Sequence, residues 1–319
     1  MSEVNRSPES TGHVPVLLAE TTAALETDSP SVVVDCTAGR GGHAEALAQH
    51  LPETATVVLG DLDGENLKYA TERVSAATKA SVVPMHCSFA RIPRELNEKG
   101  LRADIVLADL GFASNQMDDP TRGFSMMKEG PLDMRLDPSS SITAEYLLAT
   151  AQEAELARII REYGEDPYAK GIARFLVRKR EEKPIQTTTE LARLVREAYG
   201  PRARSSRLHP ATRTFQALRI SVNDELGALD GILRQVDAGA RAAVNGRPTW
   251  LSLGAKVAFI TFHSLEDRMV KQTFVELERG LQGHRLARKP IVASEREIAV
   301  NSRARSAKLR VAMVGTRQD

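Results

Sequence analysis

Apolar residues in the first third of the chain fall into two alternating patterns. Val32-Val33-Val34, Thr56-Val57-Val58-Leu59, Ser81-Val82-Val83-Pro84-Met85 and Ala103-Asp104-Ile105-Val106-Leu107-Ala108 are short runs of strand length. Between them Ala44, Leu47, Ala48 and Leu51, then Leu67, Ala70 and Val74, then Ile92 and Leu96, recur at the three- and four-residue spacing of one helix face. Strands alternating with helices predict an α/β protein with a doubly wound parallel sheet. Pro84 cannot donate to a ladder and marks the third strand as an edge. Asp63 is placed to cap the helix through Leu67.

The alternation then stops. Leu110–Ser140 is irregular and rich in Gly, Pro, Asp and Met, the kind of long loop that builds active sites beyond strand ends. Helical patterns follow without strands over Thr143–Tyr163, Pro167–Lys183 and Thr188–Tyr199, with Pro167 at a first helical position and Thr188 or Thr189 as a cap. These predict an inserted all-helical domain over 137–212, between sheet-forming parts at 1–136 and 213–319. A helix over Asn223–Val236 leads back to strand character at Lys256–Phe262. A helix through Leu265, Met269 and Phe274 follows, and Leu309–Val314 is the last strand. The charged segment Arg279–Arg305 reads as a partly mobile surface.

The first strand and helix carry candidate chemistry. Val32-Val33-Val34 ends in Asp35 and enters its helix through Gly39, Gly41 and Gly42, the first half of a nucleotide-binding βαβ unit. Asp61 ends the second strand 26 residues later, where such folds place the carboxylate that accepts ribose hydroxyls. The glycine spacing departs from G-x-G-x-x-G, and an acid opens the loop where a pyrophosphate would be repelled. S-adenosylmethionine has no phosphate and has an ammonium that welcomes a carboxylate. That favours a methyltransferase over the competing reading, a nicotinamide-dependent dehydrogenase.

Composition narrows the setting. Hydrophobic residues at 42% of 319 are enough for a sizeable core, and no segment approaches the ~20 apolar residues of a membrane span. The polar start, MSEVNRSPESTGHVP, lacks a signal-peptide core, so a cytoplasmic location is expected. Cys36 and Cys87 form no C-x-x-C pair and read as structural thiols. The net charge of +1 hides an asymmetry: Arg158–Arg219 holds 15 Lys and Arg against 7 Asp and Glu, leaving 28 basic and 35 acidic residues elsewhere. A basic block in an acidic body points to a polyanionic partner.

Several longer segments carry a resemblance. His13-Val14-Pro15-Val16-Leu17-Leu18, the DCTAGRGGH loop, Asp109-Leu110-Gly111, Arg122-Gly123-Phe124-Ser125 and Gly130-Pro131-Leu132-Asp133-Met134-Arg135 occur in order, followed by HPATRTFQALRI from His209 and FHSLEDR from Phe262. Together they closely resemble the bacterial small-subunit ribosomal RNA cytosine-N4 methyltransferases, the RsmH (MraW) family, from His13 to about Ala312. The resemblance implies a Rossmann-like class I S-adenosylmethionine-dependent fold with a helical insertion. It also implies methylation of a decoding-centre cytidine in 16S rRNA, as naked RNA or in the small subunit, and suggests a homodimer. Carried over by position, the cofactor contacts fall on Gly41, Gly42, His43, Asp61, Phe89, Asp109 and Gln116.

Asp109 is the expected catalytic residue. Amino-methyltransferases carry an Asp/Asn-Pro-Pro-aromatic motif after the fourth strand; here Asp109-Leu110-Gly111-Phe112 keeps the acid and lacks both prolines. Phe112 and Ala113 also depart from the family's small aliphatic residue and serine, so Phe124 is the aromatic expected to hold the base. Asp133, Arg135, Arg213, His263 and Arg268 complete the expected substrate surface. Arg213, Gln216, Arg219 and Asn223 share one helix edge that faces either RNA or a domain junction locked by ion pairs. His263, Glu266 and Asp267 match no zinc spacing, and no metal is expected. Neither cysteine has an activating partner, which argues against carbon-5 chemistry. The segment Asp237–Gly254, which contains the lone Trp250, is longer than the family pattern and lacks its Pro-Gly-Gly. Other functions to separate are an N4/N6 amino-methyltransferase on another nucleic acid and a non-catalytic RNA-binding assembly factor.

Overall fold

The computed structural model describes residues 15–205 and 209–315, so His13 and Val14 of the first motif lie outside the described residues. The strands are β1 (Val32–Asp35), β2 (Thr56–Asp61), β3 (Ser81–His86), β4 (Ala103–Asp109), β5 (Leu251–Thr261), β6 (Gly283–Arg285), β7 (Ile291–Val292) and β8 (Lys308–Val314). They form one sheet in the order β3-β2-β1-β4-β5-β8-β6, with β7 paired to β8. β1 to β5 run parallel, and β8 is antiparallel to both β5 and β6. The chain winds outward from β1 to β3 and then crosses back to β4. That reversal opens a crevice at the carboxyl ends of β1 and β4.

The apolar runs became strands because both sheet faces are covered. All four residues of β1 are buried, as are Val57, Val58 and Leu59 of β2 and Val106, Leu107 and Ala108 of β4. β3 is the edge strand that Pro84 implied. Asp63 caps the helix Gly64–Ala77, accepting the Glu65 and Asn66 amides, and Leu67, Ala70 and Val74 form its buried face.

Beyond the sheet, the helices Ala144–Thr150, Glu153–Gly164, Ala169–Glu182 and Thr188–Tyr199 pack with Thr212–Asn223. Their shared core joins Leu156, Ile160, Ile172 and Leu191 to Phe124, Leu132 and Met134 of the long loop and to Phe215 and Leu218. The pattern over Thr143–Tyr163 is two helices rather than one. Thr150 Oγ1 turns back onto the Tyr146 carbonyl, and Gln152 is extended before Glu153 and Glu155 open the second helix. Thr187, not Thr188 or Thr189, caps the last of the four, accepting the Glu190 amide. Thr188 is buried instead, donating to the Lys128 carbonyl and accepting the Gly130 amide. Pro167 lies just ahead of its helix, which begins at Ala169.

Two expectations about irregular segments are corrected. The helix read as Asn223–Val236 is Glu225–Val244, and β5 starts at Leu251, so most of 237–254 is regular. Trp250 is fully buried and donates its indole N–H to the Gln235 carbonyl at 3.1 Å. Gly239 makes room for it, since a Cβ there would lie 2.7 Å from the indole nitrogen. The segment 279–305 is built rather than loose: it holds β6, β7 and the helix Glu295–Val300, and buries Ala304. Glu297 anchors it by accepting the Leu17 amide at 2.7 Å. Its charges concealed this, because only every few residues reach the core. Among the described residues no helix is long and apolar enough to cross a membrane.

Candidate active site

Three carboxylates close the carboxyl ends of neighbouring strands: Asp35 on β1, Asp61 on β2 and Asp109 on β4. Asp35 is buried and accepts the Thr37 amide at 3.1 Å. Burial, with the charge of Asp61 added, pushes its carboxyl up to about 7. Burial also raises Asp61 to about 6, although its two oxygens accept the amides of Gly39 at 2.7 Å and Asp63 at 2.8 Å. Asp109 is held by its own amide, which donates to Thr37 Oγ1 at 2.6 Å. Burial first, then the charges of Asp35 and Glu266, push its carboxyl well above the usual range. Its Oδ2 lies 3.6 Å from His43 Nδ1, while Oδ1 is buried with no hydrogen-bond partner. Acids arranged this way repel one another and relax when a cation arrives.

A cavity of about 180 Å³ is lined by Asp61 and Asp109, with Asp35 outside its lining. Gly39, Arg40 and Gly42 form one wall, Asp61 and Phe89 a second, and Asp109, Phe112 and Gln116 a third. The loop glycines divide their work. Gly39, at φ 50°, lies in the wall and donates to Asp61. Gly41, at φ 77°, is turned onto the next helix, where a Cβ would lie 3.1 Å from the Ala70 Cα. Gly42 lets Pro15 close over the loop, because a Cβ would strike the Pro15 ring at 2.3 Å. His43 is buried, with Nε2 3.0 Å from the Val16 carbonyl.

Asp63 does more than cap a helix. It accepts Gln116 Nε2 at 2.8 Å and Arg122 at 2.9 Å, while Gln116 Oε1 accepts the Ala113 amide at 2.8 Å. Burial pushes the Asp63 carboxyl up, but hydrogen bonds from Gln116, the Asn66 amide and Arg122 outweigh it and hold it low. Asp63 thus clasps the loop after β4 to the loop after β2. Sequence reasoning found the cap and missed the clasp, because no local spacing links Asp63 to Arg122.

The structure sorts the expected substrate residues. Phe112 lies in the cavity wall; Phe124 lies behind it, 6% exposed in the helical core, stacked on Phe112 at 5.3 Å and 8°. The Arg219 guanidinium sits over the Phe112 ring at 4.7 Å and forms a two-pronged pair with Glu225, both bonds 2.8 Å. Asp133 and Arg135 pair with each other, and Arg135 also donates to the Pro138 and Ser140 carbonyls, which ties the loop to itself. Arg213 donates to the Glu165 carbonyl, Gln216 to that of Tyr163 and Asn223 to that of Met134, so this helix edge is bonded to the helical layer and the long loop. Arg268 pairs with Glu165 at 3.0 Å, and Ser264 also donates to Glu165.

His263 caps the helix Ser264–Arg279, with Nδ1 3.5 Å from the Glu266 amide. Its Nε2 lies 3.2 Å from Glu266 Oε1 but out of line for a hydrogen bond. Glu266 is buried and reaches the cavity. Burial raises its carboxyl, yet His263, the Phe262 amide and Arg219 hold it below the ordinary value. Glu225, His263 and Glu266 have donor atoms within 4.8 Å of one another, but Arg219 already neutralises Glu225. Asp267 turns away to pair with Lys308 and Arg310.

A doubly wound sheet in this order, with β8 reversed, a glycine loop after β1 and acids ending β2 and β4, defines a Rossmann-like class I methyltransferase. The chain belongs to the MraW methylase family, whose sequence profile matches residues 10–314. It is similar to ribosomal RNA small subunit methyltransferase H of Halothermothrix orenii, with 39% identity covering 94% of this chain and 97% of that protein. The proteins of the same name from Clostridioides difficile and Heliobacterium modesticaldum are 40% and 41% identical, again over 94% of this chain and 98% and 97% of theirs.

Proposed function

We propose that the protein methylates the N4 amine of a decoding-centre cytidine in 16S rRNA, with S-adenosylmethionine as donor. The observation that carries the choice of an amine is Asp109, a strand-end carboxyl in the cavity lining whose Oδ1 has no hydrogen-bond partner among the described residues. Cytosine's exocyclic amine gives its lone pair to the ring and is a poor nucleophile. A carboxylate that accepts one of its hydrogens stabilises the positive charge developing on nitrogen. Both thiols are poor alternatives: burial, then the charge of Asp35, pushes Cys36 well up, and burial raises Cys87. Carbon-5 methylation, which needs a thiolate, is therefore disfavoured.

The donor supplies a methyl group on a positively charged sulfonium, and the cavity fits it chemically. The acid cluster favours the cation, and the carboxylate of Asp61 faces the ribose hydroxyls. The Phe89 ring offers adenine an apolar surface, and Gly39 and Gly42 keep the wall thin. Phe112, stacked on Phe124 and covered by the Arg219 guanidinium, meets the target base with its edge. Such a base must leave its stack to reach the floor of the cavity. The basic helical layer meets the RNA backbone. We place the protein in the cytoplasm with its ribosomal substrate, as a homodimer, a state that light scattering would check.

A tritiated-methyl assay on small subunits and on naked 16S rRNA, followed by nucleoside analysis, tests the function. The expected product is N4-methylcytidine at one position. Label in 5-methylcytidine or in adenosine, or no transfer to either substrate, would overturn it.

A further inference from the structure

The Asp109 carboxyl faces a histidine whose proton the fold positions. His43 Nε2 is 3.0 Å from the Val16 carbonyl oxygen, which can only accept, so Nε2 carries the hydrogen. In the neutral ring Nδ1 therefore presents a lone pair, and it lies 3.6 Å from Asp109 Oδ2. A lone pair and a carboxylate oxygen at that range repel each other unless a proton enters between them. Asp109 lines the cavity with a side chain 25% exposed, while its other carboxyl oxygen, Oδ1, is buried without a hydrogen-bond partner among the described residues. We propose that Asp109 and His43 act as one proton-accepting pair, the Asp109 carboxyl taking the proton released by the methylated amine and His43 Nδ1 sharing it. This rests on the amine-methylation reading above.

The step balances. The amine lone pair bonds to the methyl carbon as the carbon–sulfur bond breaks, and that bonding pair stays on sulfur, which becomes a neutral thioether. The nitrogen then carries a methyl, two hydrogens and a positive charge. One hydrogen passes as a proton to the Asp109 carboxyl, its bonding pair returns to nitrogen, and the product base leaves neutral. The carboxyl hands the proton on to Nδ1 through Oδ2, and the pair returns it to water as the product leaves.

The groups around the pair favour uptake. Asp35 faces Asp109 from the end of β1, with Asp61 beyond it on β2, and Glu266 faces it from the helix Ser264–Arg279. Burial disfavours a carboxylate most, and the charges of Asp35 and Glu266 add to it. Arg219 faces Glu266 and Glu225 rather than Asp109. His43 comes from the opposite side, on the helix Gly42–Ala48, and is 5% exposed. It touches neither the base nor the methyl group, and the proton reaches it only through Asp109.

His43→Gln tests the pair, since the glutamine amide keeps a donor for the Val16 carbonyl and removes Nδ1. Single-turnover methylation at saturating donor and RNA should fall about 10²-fold on its plateau, the usual weight of a general base. The acid-side midpoint of its pH profile should move to lower pH, because the pair binds a proton more tightly than the carboxyl alone. A uniform drop with an unmoved midpoint would overturn the pairing and leave His43 a packing residue. A second readout needs no methylation. Histidine nitrogen-15 spectra of the unloaded protein should show His43 as the Nε2–H tautomer, with an Nδ1 resonance that shifts in Asp109→Asn. An Nδ1–H tautomer, or an Nδ1 resonance indifferent to that change, would overturn the pair. Spectra showing the pair in a protein that makes no N4-methylcytidine would instead refute the functional reading.

Discussion

The carboxyl edge of the sheet and the charged edge of the helix Thr212–Asn223 treat polar side chains in opposite ways. At the sheet edge, Asp35, Asp61 and Asp109 are all raised by burial, and Asp109 keeps an oxygen without a partner. Along the helix edge, Arg213, Gln216, Arg219 and Asn223 are all bonded to protein, and Glu165 ties the helical layer to Ser264 and Arg268. Both regions looked functional as sequence. The difference teaches which residues are held ready for a ligand: those left underpaired at a cost. The fully paired ones hold the two layers in register.

Breaking the helix edge should cost the most stability. Arg219→Met leaves the Glu225 carboxylate part-buried without its partner and removes the cation over Phe112. Unfolding in denaturant should show a loss of about 3–5 kcal/mol. A change within error would mean the helix is held by packing alone.

Relieving the sheet edge should have the reverse sign. Burial pushes the folded Asp35 carboxyl up to about 7 from its ordinary 3.8, so the native state binds the proton more tightly. Its contribution to stability is complete below 3.8 and is lost as pH rises through about 7. Asp35→Asn, which keeps an acceptor for Thr37, has no such loss. Its stability relative to wild type should grow by roughly 2–4 kcal/mol between pH 4 and pH 8. A constant difference across that range would refute the burial cost.

The two stacked rings separate the regions further. Phe124→Ala should lose about 3–5 kcal/mol of stability as a core truncation. Phe112→Ala should fold well and weaken target-base binding by about 0.5–1.5 kcal/mol, read as a rise in the RNA concentration that half-saturates methylation. Equal effects of the two on both measurements would erase the distinction. The smallest effect belongs to the outer helical surface. Arg174 and Arg178 lie on the helix Ala169–Glu182, with Arg174 3.5 Å from Glu153 and Arg178 over the Phe175 ring. Reversing both to Glu should flatten the slope of log affinity against log salt by about 1–2, without unfolding the layer. An unaltered slope would assign the RNA contacts elsewhere.

Much of the sheet and its acids was legible because each strand is a compact apolar run ending in a carboxylate. Strand edges, helix faces and the glycine loop are local patterns, and local patterns read well from sequence. The rest depended on distant partners. Arg122 meets Asp63 across 59 residues, and Ser264 meets Glu165 across 99. Phe124 looked like a base-holding ring until the helical core closed around it. Gly239 and Trp250 meet in a packing contact that no local spacing announces. The helix break at Gln152 has no proline or glycine to announce it.

Asp109→Asn, followed by both thermal unfolding and single-turnover methylation at pH 8, tests the central claim that the underpaired edge is kept for chemistry. The amide removes a buried charge that Asp35 and Glu266 oppose, while the Asp109 backbone bond to Thr37 is untouched. The account predicts an unchanged or higher melting temperature together with a rate lower by about 10²–10³. A lower melting temperature with a methylation rate near wild type would contradict it.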